Sequence, residues 1–320
     1  MNEDRLIGWL RRQLERHGPD LLGDDAAFLP RAGWAVSFDQ QIEGTHFRPE
    51  IGATTVARRL LAVNLSDLAA VGADPAYALL AIAAPTHYPM KPFFRALLDA
   101  SRRHGVVLAG GDVARAATPA FGLTVFGRCH DRWVRRDGGR AGDALWVGGT
   151  LGESAAGRRL LERGAAPLGR GIELPAGFPS DRALAAAARR AVRRHLAPRP
   201  QLELGRWLAS RRRAAAIDVS DGLLLDLERL CRASGTGARI DAAALPVASH
   251  FDRLSDYLGS DPVELAGGGG EDYVLLFALP ATTEPPPDLG CHRIGQLVSG
   301  RAVRLTGGPS LSRRGWDHLG

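Results

Sequence analysis

Residues 214–231 read AAAIDVSDGLLLDLERLC. The first part is an apolar run that ends on Asp218, the pattern of a short buried strand. After Gly222, the residues Leu223, Leu224, Leu227, Leu230 and Cys231 fall on one stripe, the pattern of a helix that packs by one face. A strand, a polar turn and a helix in immediate succession mark an α/β unit. The turn carries Asp218, Ser220 and Asp221. A carboxylate at the end of a buried strand needs a partner. Ser220 and Asp221, taken alone, also read as caps of the following helix.

The same alternation extends in both directions. Upstream, helices are expected over 3–16, 54–71 and 92–104, with Leu61, Leu65 and Leu68 on one face of the second and Gly72 stopping it. Strands are expected over 34–39, 76–84, 106–109 and 121–129. Further along, a strand over 144–147 and a helix over 153–162 precede a Gly- and Pro-rich stretch, 164–180, that reads as a loop. Helices near 181–195 and 201–211 follow. Strands near 238–241, 273–279, 291–296 and 302–305 close the chain. The expected fold class is α/β (α+β), with two mixed domains, 1–140 and 141–320, divided at the turn Asp137-Gly138-Gly139-Arg140-Ala141-Gly142-Asp143.

Composition removes several function classes. No run of eighteen or more apolar residues occurs, so no membrane span is expected. The charged N-terminus lacks the pattern of a signal peptide. Cys129, Cys231 and Cys291 are odd in number and isolated, which fits a reducing cytoplasm and no zinc knuckle. The net charge is +6, but Lys91 is the single lysine and the arginines are scattered. A solvated basic surface is the reading preferred over nucleic-acid binding. That lysine, within Pro89-Met90-Lys91-Pro92, serves neither a Walker A loop nor a protein kinase strand. If the protein binds phosphates, metal ions and arginines must supply the countercharge.

Acidic clusters stand beside Gly, Ser or Asn at the edges of apolar elements: Gly23-Asp24-Asp25-Ala26, Ser37-Phe38-Asp39, Asn64-Leu65-Ser66-Asp67, Gly110-Gly111-Asp112 and Asp218-Val219-Ser220-Asp221-Gly222. A further one, Glu271-Asp272-Tyr273, follows the glycines 267–270. Magnesium takes hard oxygen ligands, one or two carboxylates per ion, with phosphate oxygens and water completing the shell. Several ions around one triphosphate therefore need aspartates from several loops, and adjacent glycines let backbone amides approach phosphate. Each cluster also has an ordinary explanation. Asp24-Asp25 reads as a surface turn, Asp39 as a strand end, Asp67 with Asn64 as a polar helix stripe, Asp112 as a turn and the four glycines as a hinge. Their joint occurrence favours the nucleotide reading.

These residues resemble the thiamine-monophosphate kinase family, of the superfamily that includes aminoimidazole ribonucleotide synthetase, selenophosphate synthetase and the hydrogenase maturation protein HypE. The resemblance begins near Leu22 and rests on the ordered motifs at 23–27, 43–47, 62–73, 110–112, 140–143, 152–157, 217–223 and 269–273, with the ending Gly315-Trp316-Asp317-His318. It implies that Asp25, Ser37, Asp39, Asp67, Asp112, Asp218 and Asp221 are magnesium ligands. It implies that Gly111, Asp112, Arg136 and Ser220 contact ATP, and that His46, Glu271 and Trp316 contact thiamine phosphate. A thiazolium cation suits an aromatic face and a nearby carboxylate.

The implied activity is transfer of the ATP γ-phosphoryl group to thiamine phosphate, with several Mg2+ ions, ATP as co-substrate, and a homodimer formed through the N-terminal domain. The implied ATP site lies in the cleft between the domains. Another acceptor within the superfamily, or a nucleotide-binding relative with reduced turnover, are the alternatives. The sequence departs from the family pattern at Phe38, Gln40 and Val113, where hydroxyl residues are usual. If those hydroxyls are ligands, one magnesium site is weakened. If only the backbone carbonyl at 38 coordinates, Phe38 is harmless.

Overall fold

The computed structural model describes residues 3–14, 23–29, 33–129, 132–169, 171–309 and 315–316. Residues 15 and 16, to which the first helix was expected to run, lie outside these, as do Leu22, Asp317 and His318 of the motifs. The first half comprises helix α1 (Glu3–Leu14), strands β1 (Ala27–Leu29) and β2 (Trp34–Ile42), helix α2 (Ala53–Ala70), strand β3 (Asp74–Ala84), helix α3 (Met90–Arg103), and strands β4 (Val107–Arg115) and β5 (Ala120–Arg128). The second begins with β6 (Ala144–Gly148), α4 (Glu153–Glu162), β7 (Ala166–Leu168), β8 (Gly171–Glu173), α5 (Arg182–Leu196) and α6 (Leu202–Ala209). It continues with β9 (Ala215–Asp218), α7 (Leu223–Ser234), β10 (Gly237–Asp241), α8 (Phe251–Leu258), α9 (Pro262–Gly268), β11 (Leu275–Leu279), β12 (Cys291–Val298) and β13 (Val303–Thr306).

Two main mixed sheets result. The first has the order β1-β2-β5-β3-β4, the second β13-β10-β12-β6-β11-β9. Helix α2 stands between them. It packs on β2, β5 and α3 on one side and on α6, β9 and β11 on the other. Its sequence is apolar on more than the one face read from Leu61, Leu65 and Leu68, because Val56, Leu60 and Val63 are buried as well. A helix sandwiched between two layers is expected to be apolar on more than one face. At its end, small residues let α6 come close. A Cβ at Gly72, whose φ is 72°, would lie 2.6 Å from the Cβ of Ala209.

Three expectations are corrected. The strand read as 106–109 runs on through Gly110-Gly111-Asp112 to Arg115, so Asp112 is not in a turn. Parallel pairing with β3, from Tyr77↔Val107 to Ala84↔Arg115, satisfies that backbone. A Cβ at Gly111 would sit 1.9 Å from the carbonyl oxygen of Leu80, so the glycine serves the close approach of the two strands. The stretch 164–180 contains the hairpin β7–β8, paired from Ala166↔Glu173 to Leu168↔Gly171. Of the four glycines read as a hinge, Gly267 and Gly268 finish helix α9.

One face of the first sheet is turned outward and is apolar. Phe38, Tyr77, Leu79 and Val107 lie on it, 55%, 45%, 41% and 56% exposed. The other face packs on α2 and α3 through Leu80, Leu123, Phe93 and Phe121. Side chains alternate along β2, so Phe38 and Gln40 point away from the side on which Ser37 and Asp39 meet α2. No described helix is long and apolar enough to cross a membrane.

Candidate functional site

The site forms where the middle of β2 packs against α2. The Ser37 hydroxyl donates to Asp67 Oδ2 at 2.5 Å, and the Asp39 backbone N–H donates to Asn64 Oδ1 at 2.9 Å. Asn64 and Asp67 are three apart on a helix and share a face. Asn64 Nδ2 also donates to the Leu60 carbonyl at 2.8 Å, which fixes the amide orientation. The polar stripe read in the sequence therefore aims at β2, not at solvent.

The second sheet supplies the opposite wall. Asp218 ends β9, and Ser66 of α2 donates to its Oδ2 at 2.6 Å. Beyond Asp218 the loop is held from behind by Asp226. One oxygen of this buried carboxylate accepts the N–H groups of Ser220, Asp221 and Gly222, each at 3.1 Å. These amides are thus committed to Asp226, and the Asp221 carboxylate lies close enough to Asp39 to raise it. Arg229 bridges the Asp221 and Asp226 carboxylates. The Trp316 backbone N–H donates to the Asp221 carbonyl at 3.0 Å, which brings this residue to the loop. Trp316 is 43% exposed.

The third wall is the loop of residues 23–25. Arg136 clasps Asp25 through two bonds, 2.7 and 3.3 Å, and its backbone N–H donates to Asp24 Oδ1 at 2.8 Å. Ser234, at the far end of α7, donates to the Arg136 carbonyl at 2.6 Å.

Carboxylate oxygens of Asp25, Asp67 and Asp218 all lie within 4.8 Å of one another. So many anions in one cleft repel, and burial denies them water. Burial first, then Asp221 and Asp25, pushes the Asp39 carboxyl up to about 7. Asp67 is raised well above the carboxylate range by burial and by Asp39, Asp218 and Asp25, against the pull of the Ser37 hydrogen bond. Asp218 is raised in the same way, chiefly by burial and Asp25. Burial opposes the charge of Arg136, but Asp25, with Asp218 and Asp226, more than restores it. An all-oxygen donor set, crowded and short of countercharge, fits hard divalent cations such as Mg2+.

Glu271 sits at the other end of the cleft. Its backbone has φ 61°, in the left-handed region, and its N–H donates to the Ser220 carbonyl at 2.6 Å. Burial pushes the carboxyl up, but Arg59, His195, Arg158 and His46 together hold it below the usual range. His46 therefore lies close enough to act on Glu271. The His46 Nδ1 accepts the Ile42 N–H at 3.1 Å.

The structure thus brings Asp25, Ser37, Asp39, Asp67, Asp218, Ser220, Asp221 and Arg136 to one junction of α2, β2 and β9, with Glu271, His46 and Trp316 beside it. It does not bring Gly111 and Asp112 there. Gly111 shares a sheet row with Asp39 through Leu123 and Leu80, three strand spacings or roughly 14 Å away. Both residues are exposed. Of the departures, Phe38 and Gln40 lie on the outward face and Val113 is 65% exposed on the edge strand.

Residues 23–129 match the family model described as AIR synthase related protein, N-terminal domain. The thiamine-monophosphate kinase of Escherichia coli (strain K12) is 34% identical over 322 residues, covering 93% of this chain and 91% of that protein. The chain belongs to the thiamine-monophosphate kinase family. The structure of the thiamine-monophosphate kinase from Stenotrophomonas maltophilia K279a has a TM-score of 0.75 at 34% identity, over 96% of each chain. The structure described as AaThiL complexed with AMPPCP and TMP has a TM-score of 0.86 at 27% identity, over 99% of this chain and 97% of that one.

Set against the family motifs, the sequence reading missed the residues that hold the site: Ser66, Asp226, Arg229, Arg59 and His195. Ser66 lay inside a quoted motif. Asp226 and Arg59 stand in Leu-rich helices, where one charged residue reads as a solvent-facing position.

Proposed function

We propose that this kinase transfers the γ-phosphoryl group of ATP to the phosphate of thiamine phosphate, giving thiamine diphosphate. The observation that carries this is the convergence of Asp25, Asp67 and Asp218, from three separate segments, to within 4.8 Å. It occurs in a chain 34% identical to a thiamine-monophosphate kinase. Asp25, Ser37, Asp39, Asp67, Asp218 and Asp221 would hold several Mg2+ ions. Bound magnesium supplies the positive charge that neutralises the transferring group. For Asp112 and Gly111 as ligand and ATP contact, the support is the motif alone.

The residues of the chain then have separate tasks. Arg136 places a guanidinium beside the triphosphate, and Ser220 offers its hydroxyl there. Trp316 and Glu271 receive the thiazolium, one by its aromatic face and one by its charge, and His46 closes that rim. The acceptor phosphate is already anionic near neutral pH, so no residue need remove a proton. Positioning and charge neutralisation suffice. We infer direct in-line transfer, since no cysteine is assigned to the site among the described residues and His46 is assigned to the substrate.

Three further readings belong to the proposal. A division into domains 1–140 and 141–320 is supported by each sheet drawing its strands from one side of that point, with the ATP cleft between them. A homodimer through the first sheet is supported by its exposed face of Phe38, Tyr77, Leu79 and Val107. A cytoplasmic location is supported by the three unpaired cysteines. No nucleic acid or membrane partner is proposed.

The activity is tested with an acceptor panel. With ATP and magnesium present, ADP release is expected with thiamine phosphate and not with thiamine or a nucleoside monophosphate. Equal release with another phosphorylated acceptor would reassign the substrate.

A further inference from the structure

Arg59 on α2 is fully buried. A buried guanidinium is tolerated where its N–H groups meet acceptors. Here Nε donates to Gln41 Oε1 at 3.2 Å, Nη1 donates to the His195 carbonyl, and Nη2 donates to Glu271 Oε1. The acceptors come from the end of β2, the end of α5 and the loop before β11. The guanidinium also lies 5.8 Å from the centre of the Tyr273 ring.

The loop it grips is strained. Glu271 and Tyr273 have φ of 61° and 49°, where non-glycine residues are uncommon. The loop backbone is tied to the β9–α7 loop, Glu271 N–H to Ser220 and Tyr273 N–H to Val219, at 2.6 and 2.9 Å. The Glu271 side chain is tied to α2 instead. Its second oxygen, Oε2, lies 3.6 Å from His195 Nδ1 and 4.0 Å from Arg158 Nε, both too long for a hydrogen bond. His195 is neutral, because burial and then Arg59 hold its ring at about 3. One oxygen of Glu271 is therefore pinned by Arg59, while the other is hydrogen-bonded by neither of these neighbours, in a side chain that keeps 25% of its surface exposed.

We propose that Arg59 is the positioning residue for Glu271, holding Oε1 so that Oε2 is presented to the cationic ring of the acceptor. This rests on the reading of Glu271 as a substrate contact. The same helix carries Asn64, Ser66 and Asp67. A single rigid element thus sets the distance from the acceptor's ring to the phosphoryl-transfer centre, and Arg59 is the link at its substrate end. Lysine cannot replace it, since one ammonium does not span three acceptors in fixed planar directions.

The test compares R59K, Q41L and E271Q in the full chain, each checked for a cooperative melt. Q41L frees Nε while keeping the Arg59–Glu271 pair, so it loosens the clasp without removing a charge. In E271Q and R59K, the KM for thiamine phosphate is expected to rise about tenfold or more, the scale of one charge-assisted hydrogen bond. The KM for ATP should stay within about twofold, and Q41L should shift the first constant in the same direction by less. The double variant R59K/E271Q should be no worse than E271Q, since both act on one contact. If E271Q leaves the KM for thiamine phosphate unchanged, the reading of Glu271 fails. If E271Q raises it while folded R59K and Q41L do not, or if R59K and E271Q multiply, the positioning role is overturned. A uniform fall in kcat, or a rise in both KM values, from R59K would mark a merely structural residue and overturn it too.

Discussion

The Ser66 hydroxyl donates to Asp218 Oδ2 at 2.6 Å, across a sequence separation of 152 residues. This bond ties the central helix α2 to the end of β9, so the two halves of the carboxylate cluster are set against each other by one hydroxyl. S66A leaves a buried carboxyl with one partner fewer, which costs on the order of 1–3 kcal/mol. The melting temperature should fall by several degrees, and magnesium-dependent activity should fall with it. An unchanged melt would mean that the bond adds nothing to the junction.

Crowded carboxylates oppose folding when no cation is present. The folded Asp67 carboxyl is raised well above its ordinary value of 3.8. Above that pH the unfolded chain releases its proton and the folded chain does not, so the group costs stability as pH rises. D67N removes the cost. In EDTA at neutral pH, D67N should be more stable than the natural chain. With magnesium the order should reverse, because only the natural chain gains from binding. Differential scanning fluorimetry with and without magnesium reads both.

His195 acts in the opposite sense. Its folded value is about 3 against an ordinary 6.5. Below 6.5 the unfolded chain takes up a proton that the folded chain refuses, so stability falls as pH drops from 6.5 towards 3. Urea unfolding across that range should show a steeper decline for the natural chain than for H195Q. Parallel declines would show that the ring is not held neutral.

Asp226 holds three successive amides of the β9–α7 loop. D226A leaves those amides without their acceptor and leaves Arg229 paired to Asp221 alone. We expect a loss of about 2 kcal/mol or more in stability and a weaker magnesium-induced rise in melting temperature. A magnesium shift equal to that of the natural chain would separate Asp226 from the metal loop.

Much of the fold was legible because its elements are local. The helix read at 153–162 is α4, and the polar stripe of Asn64 and Asp67 was visible in its spacing. The burial of Asp218 followed from the apolar run before it. What the sequence did not show depends on pairing over distance. Gly110-Gly111-Asp112 looks like a turn until β3 supplies its hydrogen bonds. Helices α8 and α9 are short and went unread, although Phe251, Leu254 and Leu258 stand at helical spacing in α8. Asp226 sits in the first turn of α7, where an acidic residue is ordinary, and nothing local reveals that it turns back onto the loop. Arg59 looked like one more scattered arginine, since its acceptors lie in three remote segments.

The central claim is that this carboxylate cluster gathers magnesium to move a phosphoryl group onto thiamine phosphate. The most direct measurement is formation of thiamine diphosphate from ATP and thiamine phosphate, as magnesium is titrated, by the natural chain and by D39N and D218N. The account predicts product that rises with magnesium in the natural chain and is reduced at least about a hundredfold in both variants, the scale of a lost electrostatic contact in the transition state. Product formed without a divalent cation, or undiminished in the folded variants, would contradict it.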